Sequence, residues 1–321
     1  MRLLMYRLGS GVHKTHLFVL SIYMLSFISF SWLAIQEESI QSVIQRLIVS
    51  NVIWLLKHIG TYTKKLHGCG IMSKEKMQVS IKRVPTGIPG LDDLIEGGFP
   101  EGSVNVVSGP AGGAKSLFSM SFLYNGIKEY NQAGLYISLE ESKENLLKAM
   151  ACYGMNIPKY EDAGKLFVVD LGGMAREGVG YKEDLERKLV GFETLTNFIT
   201  VFLAATPVKR IVIDSITAVG LYYKSLEELR QEMFRFVRFL KESKVTAILI
   251  TESTTQSGET TRYGIEQFVA DSFIVLSYEK KQGEFRRAVS VLKMRMTKHD
   301  SGTHPFLITS SGIEVSSEIE L

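Results

Sequence analysis

The 321-residue sequence predicts an α/β fold: a mostly parallel central sheet with helices on both faces and an antiparallel C-terminal edge. Three features carry the prediction. Short, almost wholly apolar runs such as Arg210–Asp214 (RIVID) and Val245–Thr251 (VTAILIT) alternate with longer helical stretches, the pattern of strands buried on both faces. A glycine-rich turn, GPAGGAKS, joins the end of one such run to the start of a helix. The C-terminal part closes with strand-like runs separated by short polar turns, which read as antiparallel pairs.

Taken in order, Ser103–Ser108 (SVNVVS) is β-rich and stops at glycine, and Ser116–Tyr130 continues as a helix. Gly134–Ser138 (GLYIS) is the next strand. Ser142 has the chemistry of an N-cap for a helix carrying Leu146, Leu147 and Met150 on one side. Leu166–Asp170 (LFVVD) is a third strand, with a helical crossover over roughly 182–204 before RIVID. Ser225 and Glu228 form a capping box ahead of Leu226, Leu229, Met233, Phe236, Val237 and Leu240, a single apolar stripe at helical spacing. After VTAILIT, the runs Phe273–Tyr278, Arg286–Lys293 and Phe306–Thr309 read as antiparallel additions to one sheet edge, with a turn at Gln282-Gly283. Nothing divides 72–321, which reads as one domain.

Composition is that of a globular protein, with 45% hydrophobic and 22% charged residues, which excludes disordered and collagen-like chains. Two cysteines, Cys69 and Cys152, make no disulfide framework and no metal-ligand spacing, so a reducing, cytoplasmic compartment is expected. The net charge of +3 would ordinarily suggest an acidic partner, but its distribution argues otherwise. Residues 1–71 hold seven Lys/Arg and two Glu, a net of +5, leaving 30 basic and 32 acidic residues in 72–321, a net of −2. The first piece also contains an uncharged 19-residue run, Leu17–Ile35, long enough to span a bilayer. Three readings of residues 1–71 are open: a membrane anchor oriented against the positive-inside rule, an interfacial hairpin, or sequence upstream of a natural start at Met72. The composition break at MSKEKMQ favours the last, and a membrane role is expected only if residues 17–35 are a genuine segment.

Gly109-Pro110-Ala111-Gly112-Gly113-Ala114-Lys115-Ser116, followed by Leu117, falls where a phosphate-binding loop must lie, between a strand and a helix. Backbone N–H groups there converge on phosphate oxygens at a helix N-terminus, the lysine reaches the β- and γ-phosphates, and the serine hydroxyl binds Mg2+. Ala114 stands where the pattern has its last glycine, so a methyl group crowds a turn that favours glycine. Asp214 ends a buried strand at its carboxyl side, where ligands of parallel sheets collect, and suits the shell of the metal. Glu140 and Glu141 follow GLYIS. They suit a base that orients water against the γ-phosphate, and equally the charged entry to a helix.

Together VPTGIPG (84–90), Leu91–Gly98, the loop, LEE (139–141), IVIDSIT (211–217), YGIEQFVAD (263–271) and KMRMTKH (293–299) resemble the KaiC family of RecA/RadA-like ATPases, over about 82–315. The resemblance implies a RecA-like P-loop NTPase fold, ATP and Mg2+ as cofactors, and a homo-oligomer, commonly a hexameric ring, with ATP between subunits. It implies that residues 109–117 wrap the phosphates, that Ser116 and Asp214 hold Mg2+, and that Glu140 and Glu141 are catalytic with Lys115. It further implies that Lys293, Met294, Arg295, Thr297 and His299 reach the neighbouring subunit's nucleotide, Arg295 offsetting developing charge. Met296 departs from the family, which has glycine after the arginine. The clock members carry two such domains, one of which phosphorylates itself, and RYGIEQFVAD resembles the half without acceptors, so autokinase activity is not expected.

Three functions compete. The first is a slow ring-forming ATPase that acts as a nucleotide-dependent switch for a protein partner of unknown identity. The second is a recombinase paralogue that binds DNA in an ATP-dependent manner, which the net charge of −2 disfavours. The third is an ATP-binding scaffold without useful turnover, as Ala114 would permit.

Overall fold

The computed structural model describes residues 80–178, 191–253, 260–281 and 284–316. The run at 17–35, residues 182–190 of the expected 182–204 crossover and the expected turn at Gln282-Gly283 therefore lie outside the described residues. Among the described residues, no helix is long and apolar enough to cross a membrane.

A small antiparallel pair, β1 (Arg83–Val84) and β2 (Phe99–Pro100), brackets the short helix α1 (Leu91–Leu94). The Asp92 carboxylate accepts from the backbone N–H of Thr86 and Gly87 and from the Thr86 hydroxyl, at 2.8–3.0 Å, which closes the VPTGIPG turn locally. Next come β3 (Val104–Gly109), α2 (Lys115–Tyr130), β4 (Gly134–Ser138), α3 (Lys143–Ala151), α4 (Ile157–Asp162), β5 (Leu166–Asp170) and α5 (Leu171–Gly178). Ser142 caps α3 by accepting from Asn145 N–H at 3.3 Å. Beyond 190 follow α6 (Phe192–Ala205), β6 (Arg210–Asp214), α7 (Ile216–Gly220), α8 (Leu226–Glu242), β7 (Thr246–Glu252) and α9 (Glu266–Val269). The Ser225 hydroxyl caps α8 through Glu228 N–H at 3.1 Å. The chain ends on β8 (Ser272–Lys281), β9 (Glu284–Met294), β10 (Thr303–Thr309) and β11 (Gly312–Val315).

Nine strands form one sheet in the order β11-β10-β9-β8-β3-β7-β6-β4-β5. The six from β8 to β5 are parallel, and β9, β10 and β11 continue antiparallel. The predicted fold class is what the structure has, with one correction: β8 was expected to be antiparallel and instead runs parallel to β3, Asn105 opposite Ser272. Residues 253–271, including α9, lie between β7 and β8, and a connection that long lets the next strand run in the same direction. Two core clusters cover the sheet. One face packs α2, α3 and the 84–99 segment through Phe118, Phe122, Leu123 and Leu146; the other packs α6 and α8 through Leu195, Ile199, Met233 and Phe236. The consequence for function is polarity: the carboxyl ends of six parallel strands open on one edge of the sheet, and their amino ends on the other.

Candidate functional site

The site is built at the carboxyl ends of β3, β7, β6 and β4. β3 is buried throughout and delivers Gly109 into the loop, which turns into α2 at Lys115. Ala114 takes a left-handed conformation, φ 68°, as its N-cap. A residue with a Cβ there is strained, so the loop keeps the glycine-type backbone despite the substitution. The Lys115 ammonium donates to the carbonyls of Gly109 (2.8 Å) and Pro110 (2.9 Å). Burial pushes it below its usual range, while the charges of Glu252, Asp214 and Glu140 pull it back up. Three carboxylates from three strand ends thus converge on one lysine.

Ser116 Oγ donates to Asp214 Oδ2 at 2.8 Å, tying the first turn of α2 to the end of β6. The buried Tyr136, one strand further on, donates its hydroxyl to the same oxygen. Burial raises the Asp214 carboxyl above the ordinary range, against the two hydroxyl donors and Lys115. The Asp214–Ser215 peptide is cis. A hydroxyl and a carboxylate in contact are the hard oxygen donors that Mg2+ takes, one or two carboxylates at a time with phosphate and water completing the shell. No group of three His, Cys, Asp or Glu able to hold a metal occurs among the described residues.

Ser138 and Asp214 are register partners, so Glu140 and Glu141 emerge two and three residues past the end of β4. Ser215 donates to a Glu140 carboxylate oxygen, and Ser138 donates to the Glu141 carbonyl. Loss of solvent at the strand end, then the Asp214 charge, raises the Glu141 carboxyl. A cleft of about 280 Å3 opens over the loop, lined by residues 112–117 with Tyr153, Arg287 and Ile308. Tyr278 donates to the Gly112 carbonyl at 2.7 Å, and the Arg287 guanidinium lies 5.5 Å from the Tyr278 ring centre.

The arrangement therefore joins a helix N-terminus, a lysine, a hydroxyl–carboxylate pair and two further carboxylates at adjoining strand ends, as phosphoryl transfer from a nucleoside triphosphate needs. The family model described as "ATPase: KaiC" matches residues 84–320. This chain belongs to the KaiC family. It is 36% identical over 239 residues to the circadian clock oscillator protein KaiC of Parasynechococcus marenigrum, and 35% over 240 to that of Synechococcus elongatus. Each match takes in 74% of this chain but only 45% and 44% of the relative, so the chain spans less than half the length of these curated relatives. A KaiC-like protein of known crystal structure from the archaeon Pyrococcus horikoshii shares 36% identity and a TM-score of 0.64, covering 74% of this chain and all of its own.

The KaiC resemblance also pointed to 293–299, and these residues stand elsewhere. Lys293 is opposite Phe273 near the start of β8, and Arg295 N–H donates to the Asp271 carbonyl at 3.0 Å. Asp271 N–H in turn donates to Val104 at the foot of β3. Five steps of strand at about 3.3 Å put roughly 17 Å between that level and the loop. Within one chain, Lys293, Met294, Arg295, Thr297 and His299 do not join the loop site. Met296 adopts φ 58°, a left-handed backbone that favours glycine, and Arg83 anchors its carbonyl at 2.9 Å. His299 Nδ1 sits 3.1 Å from the Asp300 carbonyl.

The sequence reading missed Tyr136, Tyr153, Glu252, Tyr278 and Arg287. Only Glu252 left a signal, an acid closing a buried parallel strand, as Asp214 does.

Proposed function

We propose that the protein binds MgATP at the 109–117 loop and hydrolyses it slowly as a homo-oligomeric, nucleotide-dependent switch for a protein partner. The observation that carries this is the convergence of Lys115, Ser116, Asp214, Glu140 and Glu141 at adjoining strand ends. Ser116 and Asp214 would hold Mg2+, which when bound neutralises charge on the β- and γ-phosphate oxygens. Lys115, held on two loop carbonyls, is free to exchange them for phosphate oxygens. Glu140 or Glu141 orients the attacking water and takes its proton; the raised Glu141 carboxyl is the better matched to accept one near neutral pH. The Tyr153–Arg287 side of the cleft takes the base. Lys293 and Arg295 act on the site of a neighbouring copy, because the roughly 17 Å of strand between the two ends separates them from their own. A hexameric ring is the assembly this reading favours.

Phosphate release by wild type and by Glu140→Gln/Glu141→Gln is the test. Loss of the general base should slow turnover by about 100-fold or more with ATP binding retained. Equal rates would remove the glutamates from catalysis, and release no faster than background in both would leave an ATP-binding scaffold. A light-scattering mass that stays monomeric with MgATP would count against the shared site.

A further inference from the structure

Arg295 does not stand alone at the foot of the sheet. Its guanidinium is about half exposed and makes a 3.4 Å contact with Asp271 Oδ1. The same oxygen accepts from the Lys241 ammonium of α8 at 2.7 Å, while Asp271 Oδ2 accepts from Val104 N–H at 3.1 Å. Asp271 itself is nearly buried, its side chain 10% exposed. One carboxylate therefore ties three things together: the first residue of the strand that carries the phosphate loop, a lysine from the helical layer, and the exposed arginine. Lys293, beside them, donates to the carbonyls of Gln267 and Ala270 at 2.9 and 2.7 Å, which fixes the turn on which Asp271 sits. A long side chain that must meet a phosphate on another molecule loses rotamer freedom when it does so, and a fixed anion beneath it removes part of that loss in advance.

We propose that Asp271 is the positioning residue for Arg295, and that Lys241 shares its carboxylate so that Arg295 is aimed but not captured. Lys241 holds Asp271 at short range, which leaves the arginine the longer, weaker contact and lets its guanidinium leave for a phosphate oxygen. Asp271 does not touch nucleotide. It acts through Arg295, and through Val104 it holds that arginine to the strand whose other end carries the same chain's loop. The inference rests on the reading that Arg295 serves a neighbouring copy's ATP.

The test is a two-by-two set on the full chain: wild type, Asp271→Asn, Arg295→Ala and the double variant, with kcat and KM for ATP taken from phosphate release. Asp271→Asn should lower kcat on the order of 10-fold with KM little changed, since misplacement of a group that acts in the transition state is felt there. Arg295→Ala should lower it further, and adding Asp271→Asn to Arg295→Ala should change nothing more. Multiplying effects in the double variant would show that Asp271 acts on structure alone and would overturn the proposal while leaving the shared-site reading intact. Unchanged turnover in Arg295→Ala would overturn both. Lys241→Met/Asp271→Asn removes the cation along with its carboxylate and keeps the measurement available if Asp271→Asn alone does not fold. That pair should also lose kcat only where Arg295 is present.

Discussion

Replacing Tyr136 by phenylalanine removes one hydroxyl from a buried strand and leaves the ring in place. That hydroxyl donates to Asp214 Oδ2, and Asp214 is buried with Ser116 as its other hydroxyl donor. A hydrogen bond to a charged group is worth about 1.5–3 kcal/mol, and a carboxylate kept from water finds no replacement donor. For a domain of this size each kcal/mol moves the melting temperature by roughly 2–4 °C, so Tyr136→Phe should melt roughly 3–12 °C lower at pH 8 without nucleotide. The effect must depend on pH. Burial raises the folded Asp214 carboxyl above its unfolded value, so the ionised form is disfavoured in the native state and protonation on acidification relieves that. Below the raised pKa, the lost bond is one to a neutral acid, worth about 0.5–1.5 kcal/mol. The gap between variant and wild type should therefore narrow as pH falls through that pKa. Melting curves taken from pH 8 downwards to the acid unfolding transition check it. An equal loss at every pH, or none at pH 8, would refute the claim that Tyr136 supports an ionised Asp214.

Three other substitutions test separate parts of the structure. Met296→Gly should stabilise by about 0.5–1 kcal/mol, because glycine takes the φ 58° backbone without the Cβ clash, and a lower denaturation midpoint would contradict this. Ala114→Gly should gain less, since its half-buried methyl packs on the core, and its ATP affinity should be no lower than wild type by titration calorimetry. Gly126→Ala on α2 should destabilise by about 2–4 kcal/mol in urea, because the new Cβ would lie 2.4 Å from Arg210 Nε. Arg210 cannot retreat easily: it is fully buried, donates to Gln132 and Phe122, and its guanidinium lies 4.5 Å from the Phe122 ring centre.

What could be read from the residues alone follows from where the information lies. The loop, the apolar strands and the caps at Ser142 and Ser225 are local patterns, and each is found where local chemistry places it. Asp214 was legible only beside the loop, because an acid ending a strand is by itself more often a cap or turn residue. Glu252 carried the same mark and was passed over, although its charge is the largest that acts on Lys115. Tyr136, Tyr278 and Arg287 carried none: in sequence each is one more residue of a strand, and only sheet order brings Tyr136 to Asp214 and Tyr278 to Gly112. The orientation of β8 was misread for a related reason. Its composition and the turns after it suit a hairpin, but the long segment before it sets its direction.

Sheet polarity also explains why the residues of KMRMTKH had to lie away from the loop. β3 and β8 run in the same direction, so Asp271 and Ser272 open β8 at the level where Val104 and Asn105 open β3. β9 returns antiparallel and brings Lys293 and Met294 back to that same level, with Arg295 just beyond. A segment that follows an antiparallel return from the loop edge must end on the opposite edge, whatever its side chains. If those side chains are to meet phosphate, the phosphate belongs to another molecule, stacked with its loop edge against this chain's opposite edge. Such a contact is head to tail, and repeated head-to-tail contacts close into rings when the rotation permits. Mixing two impaired variants decides the matter: Lys115→Ala spoils a copy's own loop and Arg295→Ala spoils what it offers. Junctions pairing an intact loop with an intact arginine arise only in the mixture, so phosphate release should rise on mixing above that of either variant alone. No rise, with mixed oligomers present by native mass, would remove Arg295 from the nucleotide site and undo the shared site.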